Sequence, residues 1–215
     1  MRLALMVLVA AVVRTTPAPA QHLTAGAGYA LSDYREQADF LHFRGSGPTG
    51  FVSAERGRVS LRVEAAHLNL DPASDGPATL ESFTVDQISV RAGVRAVSFV
   101  IIEAGYLKRS TAPGRAAQSY SAATLGVRAA YPLAPGADVA LRTAYVAGTD
   151  FSGGGSAPFG IELGLSASYA PGSSRLRLTG DFDFQRIDRR TDQNGARLSV
   201  PIQSSMARMG VAVKF

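Results

Sequence analysis

The sequence predicts an all-β chain: a membrane-spanning, antiparallel up-and-down β-barrel of about ten strands, with eight strands as the alternative count. Three observations predict it. Apolar residues recur at every second position in one segment after another, the period of a strand with two unlike faces. The links between these segments alternate between tight and long, as in a meander whose two ends differ. The chain also finishes on an alternating segment, with Val211, Val213 and the terminal Phe215 on one face.

Residues 1–20 read as an export signal. Arg2 supplies the positive start, residues 3–13 form an apolar run, and Ala18 and Ala20 are the small residues a signal peptidase favours. The run is too short to cross a bilayer as a helix, which takes about 20 apolar residues. Cleavage after Ala20 is expected, leaving 21–215 as a single domain. That removes Arg2 and Arg14 and leaves 20 basic against 17 acidic residues, a net charge of +3. There is no cysteine, which excludes disulfides, thiolate nucleophiles and thiolate metal sites. Lys and Arg form no stripe with interleaved aromatics, so nucleic-acid binding is unsupported.

The first alternating segment covers 23–31, with Leu23, Ala25, Ala27, Tyr29 and Leu31 on one face. A weaker one covers 50–56, where glycines and Pro48 dilute the pattern. Then come 59–65 (Val59, Leu61, Val63), 88–94 (Ile88, Val90, Val94), 100–106 (Val100, Ile102, Tyr106) and 125–131 (Leu125, Val127, Tyr131). Segments 139–145 (Val139, Leu141, Tyr145), 159–169 (Ile161, Leu163, Leu165, Tyr169) and 176–184 (Leu176, Leu178, Phe182) follow, and the last runs from about 203 to 215. Tight links fall at 56–58, 95–97, 132–136 and 170–173, where Gly and Pro suit turns. Long polar links are expected at 33–48, 71–80, 110–118, 149–158 and 188–201. Ten residues per crossing, at about 3.3 Å each and tilted about 40°, cover roughly 25 Å, the height of a lipid-facing band.

Alternation alone does not say which face points inward, because soluble barrels alternate too, with the apolar face turned in. Two features favour apolar-out. Tyr29, Tyr106, Tyr131, Tyr145 and Tyr169 share the apolar face and sit towards segment ends, as in interfacial aromatic girdles. The opposite face carries Arg62, Glu64, Arg91, Glu103, Arg128, Arg142, Glu162, Arg175, Arg177, Asp181, Asp183 and Arg208, seven positive and five negative groups. Such charges suit a narrow, filled lumen in which each is paired or wetted.

The end of the chain carries a family resemblance. A polar residue, Gly, two free positions, an apolar residue, a free one and Phe form the assembly signal of bacterial outer-membrane barrels. Gly210, Val213 and Phe215 resemble it, while Met209 departs at the polar position. Residues 21–215 as a whole resemble the small outer-membrane β-barrels of eight- to ten-stranded type. The resemblance implies residence in the outer membrane of a Gram-negative bacterium, contact with its lipid, and recognition by the barrel-assembly machinery. It implies no cofactor.

Candidate chemistry is sparse. His22 is expected in a terminal tail, His42 in the first long link and His67 near the end of its strand, none at a spacing from Ser that suggests a nucleophile and base. Asp181 and Asp183 share a face with arginines, which favours ion pairing over paired-carboxylate catalysis. Asp188, Asp192 and Asn194 lack calcium-loop spacing. No catalytic, cofactor or metal residue is therefore assigned. A structural, anchoring or loop-mediated role comes first, a narrow porin-like channel for small solutes second, and a lipid- or peptide-hydrolysing barrel third. The links at 33–48 and 188–201 are the expected contact surface for an extracellular ligand of unknown identity, with Tyr34, Phe40, Phe43 and Phe151 as aromatic handles in the long links.

Overall fold

The computed structural model describes residues 21–37, 41–74, 80–114, 118–172, 174–193 and 196–215. They form ten strands: β1 (Gln21–Glu36), β2 (Leu41–Arg56), β3 (Val59–Pro72), β4 (Phe83–Val97), β5 (Val100–Ala112), β6 (Tyr120–Ala134), β7 (Ala137–Phe151), β8 (Ser156–Tyr169), β9 (Leu176–Gln193) and β10 (Ala196–Lys214). Each pairs antiparallel with its sequence neighbour, and β1 pairs with β10, so the sheet closes as an up-and-down barrel. The eight-stranded alternative is thereby excluded. Among the tight links, those after β2 and β6 turn on Gly57 and Gly136, at φ +60° and +79°. That is backbone a side chain would oppose, and its twist matches a two-residue hairpin.

The apolar face points outward. Leu125 and Leu141 are 61% and 63% exposed, an arrangement stable only where the surroundings are themselves apolar. Glycine lets the closing strands approach. Gly28 faces Gly210 across the β1–β10 seam, and a Cβ on Gly210 would lie 2.5 Å from the Ala27 carbonyl oxygen.

Several strands are longer than the sequence predicts, and one physical cause accounts for this. β1 has 16 residues and rises about 40 Å at roughly 2.5 Å per tilted residue, well beyond a 25 Å lipid band. Past that band, at the end away from the termini, the pattern changes phase. On β1, Tyr29 and Leu31 face out, but Asp33 and Arg35 follow them on the same face while Tyr34 turns inward and is fully buried. On β3, Val59, Leu61 and Val63 are succeeded outside by His67, and Leu68 and Leu70 fill the inside. β9 does the same, with Phe182 outside, then Arg186 and Asp188 outside and Ile187 inside. Water replaces lipid around this section, so the apolar side of each strand becomes the inner one.

The expectation of long links at 33–48 and 188–201 is therefore corrected: these residues belong mainly to β1, β2, β9 and β10. β2 begins at Leu41 rather than 50, β10 at Ala196 rather than 203, and His22 lies in β1 rather than in a tail. Tyr34, Phe43 and Phe151 are not aromatic handles on the surface but buried core. Phe40 and the export signal at 1–20 lie outside the described residues.

Candidate functional site

The lumen is the one place where side chains from most of the strands converge, and it has two unlike halves. In the half nearer the termini, the inward charges form a closed cycle. The Arg91 guanidinium pairs with Glu64 and approaches Glu162 at 3.9 Å. Arg142 donates to Glu162 and, at 3.3 Å, to Asp183. Arg208 donates to Asp183 and lies 3.8 Å from Glu64, which completes the ring. Signs alternate around all six members. Two of the contacts span the lumen, since β3 and β10 are separated by β1 and β2, and β4 and β8 by β5, β6 and β7. Arg62 adds a bond to Glu64 at 2.7 Å and stacks over Phe51, while Arg128 donates to Glu103 at 2.8 Å.

Below the ring the lumen widens into a vestibule of about 410 Å³ that includes Arg62, Arg128, Arg177 and Asp181 in its lining. Arg177 donates to Asp138 there at 2.7 Å. Arg175 is not part of the lumen: it is exposed in the link between β8 and β9.

Above the ring is the section that sequence reasoning missed. Tyr34, Phe43, Leu68, Leu70, Phe83, Val85, Leu107, Tyr120, Val146, Phe151, Ile187, Ile202 and Met206 pack as one buried cluster across the bore. Phe43 meets Phe83 edge-on at 4.9 Å, and Tyr120 lies 5.5 Å from Phe151. Polar groups inside it form short chains of bonds. Glu36 accepts from the Tyr34 hydroxyl and from Gln118 Nε2, both at 2.9 Å, and the Arg109 guanidinium stacks over Tyr34 and donates to Ser204 at 3.3 Å. The signal for this core was present in the sequence as Leu68 and Leu70, Phe83 and Val85, alternating in the opposite phase to the segments beside them.

His67 and His42 lie on the outer wall of this upper section. His67 Nδ1 is 2.6 Å from Asp86 Oδ1, and His42 Nε2 is 2.9 Å from Asp33 Oδ2. An oriented imidazole is half of a nucleophilic site, but His67 has no hydroxyl partner among the described residues, and Ser46 Oγ bonds instead to the Tyr29 hydroxyl at 2.9 Å. Asp33 stands beyond the lipid-facing part of β1. Burial raises its pKa, but hydrogen bonds from Arg35, His42 and Arg44 outweigh that and hold it at about 2. No group of three or more metal-ligating side chains occurs among the described residues.

Tyr29, Tyr106, Tyr131, Tyr145 and Tyr169 all stand on the outer wall, each about half exposed. Tyr131 leans on Phe99 at 5.4 Å and Tyr145 on Phe159 at 6.1 Å. At the chain end, Val213 pairs with Ala25, and the Phe215 amide donates to the Leu23 carbonyl at 2.8 Å.

A closed, antiparallel ten-stranded meander with an apolar exterior and a charged interior has the fold of a small outer-membrane β-barrel. Solved structures of that class share it. The outer-membrane protease OmpT from Escherichia coli superposes with a TM-score of 0.54 at 7% identity, over 91% of this chain and 96% of its own. The COG4313 outer-membrane channel from Pseudomonas putida F1 gives 0.50 at 10% identity, over 94% and 100%. At such identities the likeness is one of fold. No protein-family model and no curated protein matches the chain.

Proposed function

We propose that this protein is a closed, non-conducting outer-membrane barrel whose role is structural or anchoring, with its far end available to a partner. One observation carries the reading: the lumen is blocked twice in series, by the ion-pair ring and by the apolar cluster above it. A solute would have to break charge pairs and then cross a dry core, and both steps are costly for a hydrated species. Barrels of about eight strands fill their interiors with side chains, whereas open aqueous pores appear at roughly 16–18 strands. The surface offered to a partner is smaller than the sequence predicts, because 33–48 and 188–201 are mainly strand. The links at 73–82 and 113–119 are the longest at that end.

On this reading residues 1–20 direct export and are removed after Ala20, the assembly machinery reads Gly210, Val213 and Phe215, and the five tyrosines mark the two edges of the membrane. Single-channel recording of the refolded barrel in planar bilayers tests the closed lumen. A quiet membrane at ±100 mV is expected (about the range of natural membrane potentials). Large, stable conductance steps would overturn it in favour of a narrow channel.

A further inference from the structure

The end of the barrel nearer the termini carries its basic residues on one side only. Arg56 and Arg58 flank the turn after β2, Arg95 lies near the end of β4, Arg175 immediately precedes β9, Arg177 lies on β9, and Lys214 ends β10. These bases follow one arc of the rim. The Lys214 amide donates to the Arg175 carbonyl at 2.9 Å, Gln21 of β1 pairs with Arg56, and the Arg95 amide donates to the Arg58 carbonyl at 2.7 Å. The carboxylates at this level are Glu55, Asp138 and the terminal carboxylate of Phe215, so six bases stand against three acids. Asp138 is committed to Arg177 at 2.7 Å and Glu55 approaches Arg95 at 3.9 Å, while Asp181 lies deeper, across from Arg208. Arg56, Arg58, Arg175 and Lys214 are exposed, and their side chains have no hydrogen bond or ion pair among the described residues. On the other side of the same end, residues 132–136 and 170–172 hold no charge.

Each of the four unpaired bases adjoins the lipid-facing wall. Arg56 pairs with the exposed Val59 and Arg58 precedes it, Arg175 precedes Leu176, and Lys214 stands between Val213 and Phe215. We propose that this arc binds the headgroups of anionic phospholipids in the leaflet at that end, with their chains on the outer wall of β9, β10, β1, β2 and β3. Long basic side chains lay their stems along apolar surface and carry the charge out to the level of lipid phosphates. Each base that a headgroup meets is worth about fivefold in preference for an anionic lipid. The turns at 57–58 and 98–99 are too short to carry Arg58 or Arg95 away from the membrane border, which favours lipid over a protein partner. The assignment does not depend on whether the lumen conducts.

Electron paramagnetic resonance of the refolded barrel in phosphatidylcholine vesicles tests it, with spin-labelled phosphatidylglycerol or spin-labelled phosphatidylcholine as the probe. The wild type is expected to favour phosphatidylglycerol about twofold in its motion-restricted shell, an average over lipids of which only those at the arc gain the full effect. Salt at roughly 0.5 M, where screening acts within about 4 Å, should remove the preference. The rim variant Arg56→Gln/Arg58→Gln/Arg175→Gln/Lys214→Gln should bind both probes equally while keeping its compact band on unheated gels. Lys108→Gln/Arg190→Gln, which takes two exposed bases from the opposite end, should keep the wild-type preference. Equal association of both probes with the wild type, a preference that survives in the rim variant or in salt, or its loss in the opposite-end variant would overturn the assignment. Displacement of phosphatidylglycerol by equimolar hexaglutamate would give the arc to an acidic polypeptide and overturn it as well.

Discussion

Replacing Glu162 by Gln takes one carboxylate out of the ring while leaving its shape almost unchanged. Three guanidiniums, Arg91, Arg142 and Arg208, would then share Glu64 and Asp183. Arg142 and Arg91 are 8% and 12% exposed, so neither can recover its lost partner by turning into bulk water. Removing one member of a buried pair costs about 3–5 kcal/mol. The low end of that range, about 3 kcal/mol, is expected here, because Arg142 retains Asp183 at 3.3 Å and the vestibule wets the ring from below. The chain has no tryptophan, so unfolding in urea is followed by far-UV circular dichroism of the barrel in phosphatidylcholine vesicles. Adding Arg142→Gln restores the balance of charge. The double variant should lose less than the sum of the single losses, with a coupling of about 2 kcal/mol. A loss below about 1 kcal/mol for Glu162→Gln, or strict additivity, would mean that solvent screens these pairs and that the ring does not obstruct the bore.

Three further outcomes are expected. Gly210→Val at the β1–β10 seam should abolish the compact, heat-modifiable gel band, because its Cβ would sit 2.5 Å from the Ala27 carbonyl oxygen; Gly180→Ala, whose Cβ would meet nothing nearer than 4.0 Å, should keep it. Leu125→Arg on the outer wall should cost about 2–4 kcal/mol in urea unfolding, and Ser110→Arg, outward on β5 above the band, less than about 0.5 kcal/mol, which locates the edge of the lipid. Asp33 ionises at about 2 in the fold against about 3.9 unfolded, so its stabilisation is present above pH 4 and is lost as pH falls through 2. Asp33→Asn should accordingly unfold about 1–2 kcal/mol more easily at pH 5, with the gap closing by pH 2.

The membrane section was legible because lipid and lumen impose opposite demands on alternate residues, and Ile161, Leu163 and Leu165 against Glu162 and Gly164 state that contrast without ambiguity. The inner charges were legible by parity alone, but the alternating ring was not, because Arg91 meets Glu162 and Arg208 meets Glu64 across the bore, and strand periodicity carries no information about such reach. The upper section escaped for a different reason. A two-residue period in fixed phase ends at Asp33, His67 and Arg186, where the polar residues take over the outer face. Without the membrane boundary as a reference, that reversal resembles the end of a strand.

The order of the two lumenal halves follows from where water reaches. The ring borders a vestibule open at the short-turn end, so its charges are partly hydrated and their desolvation cost is moderated. The upper half has water outside its wall and an apolar cluster within, where Phe43, Phe83 and Ile187 stabilise by burial. Both closures are built from side chains of the wall itself, with nine of the ten strands supplying the buried cluster and Ala157 of β8 packing against it. No separate plug domain is needed to block the bore, so opening a path would require unpacking the same contacts that hold the upper barrel together. On the proposed reading of a closed barrel, a seal and a stability that share one set of contacts fit holding a fixed position in the membrane better than gating.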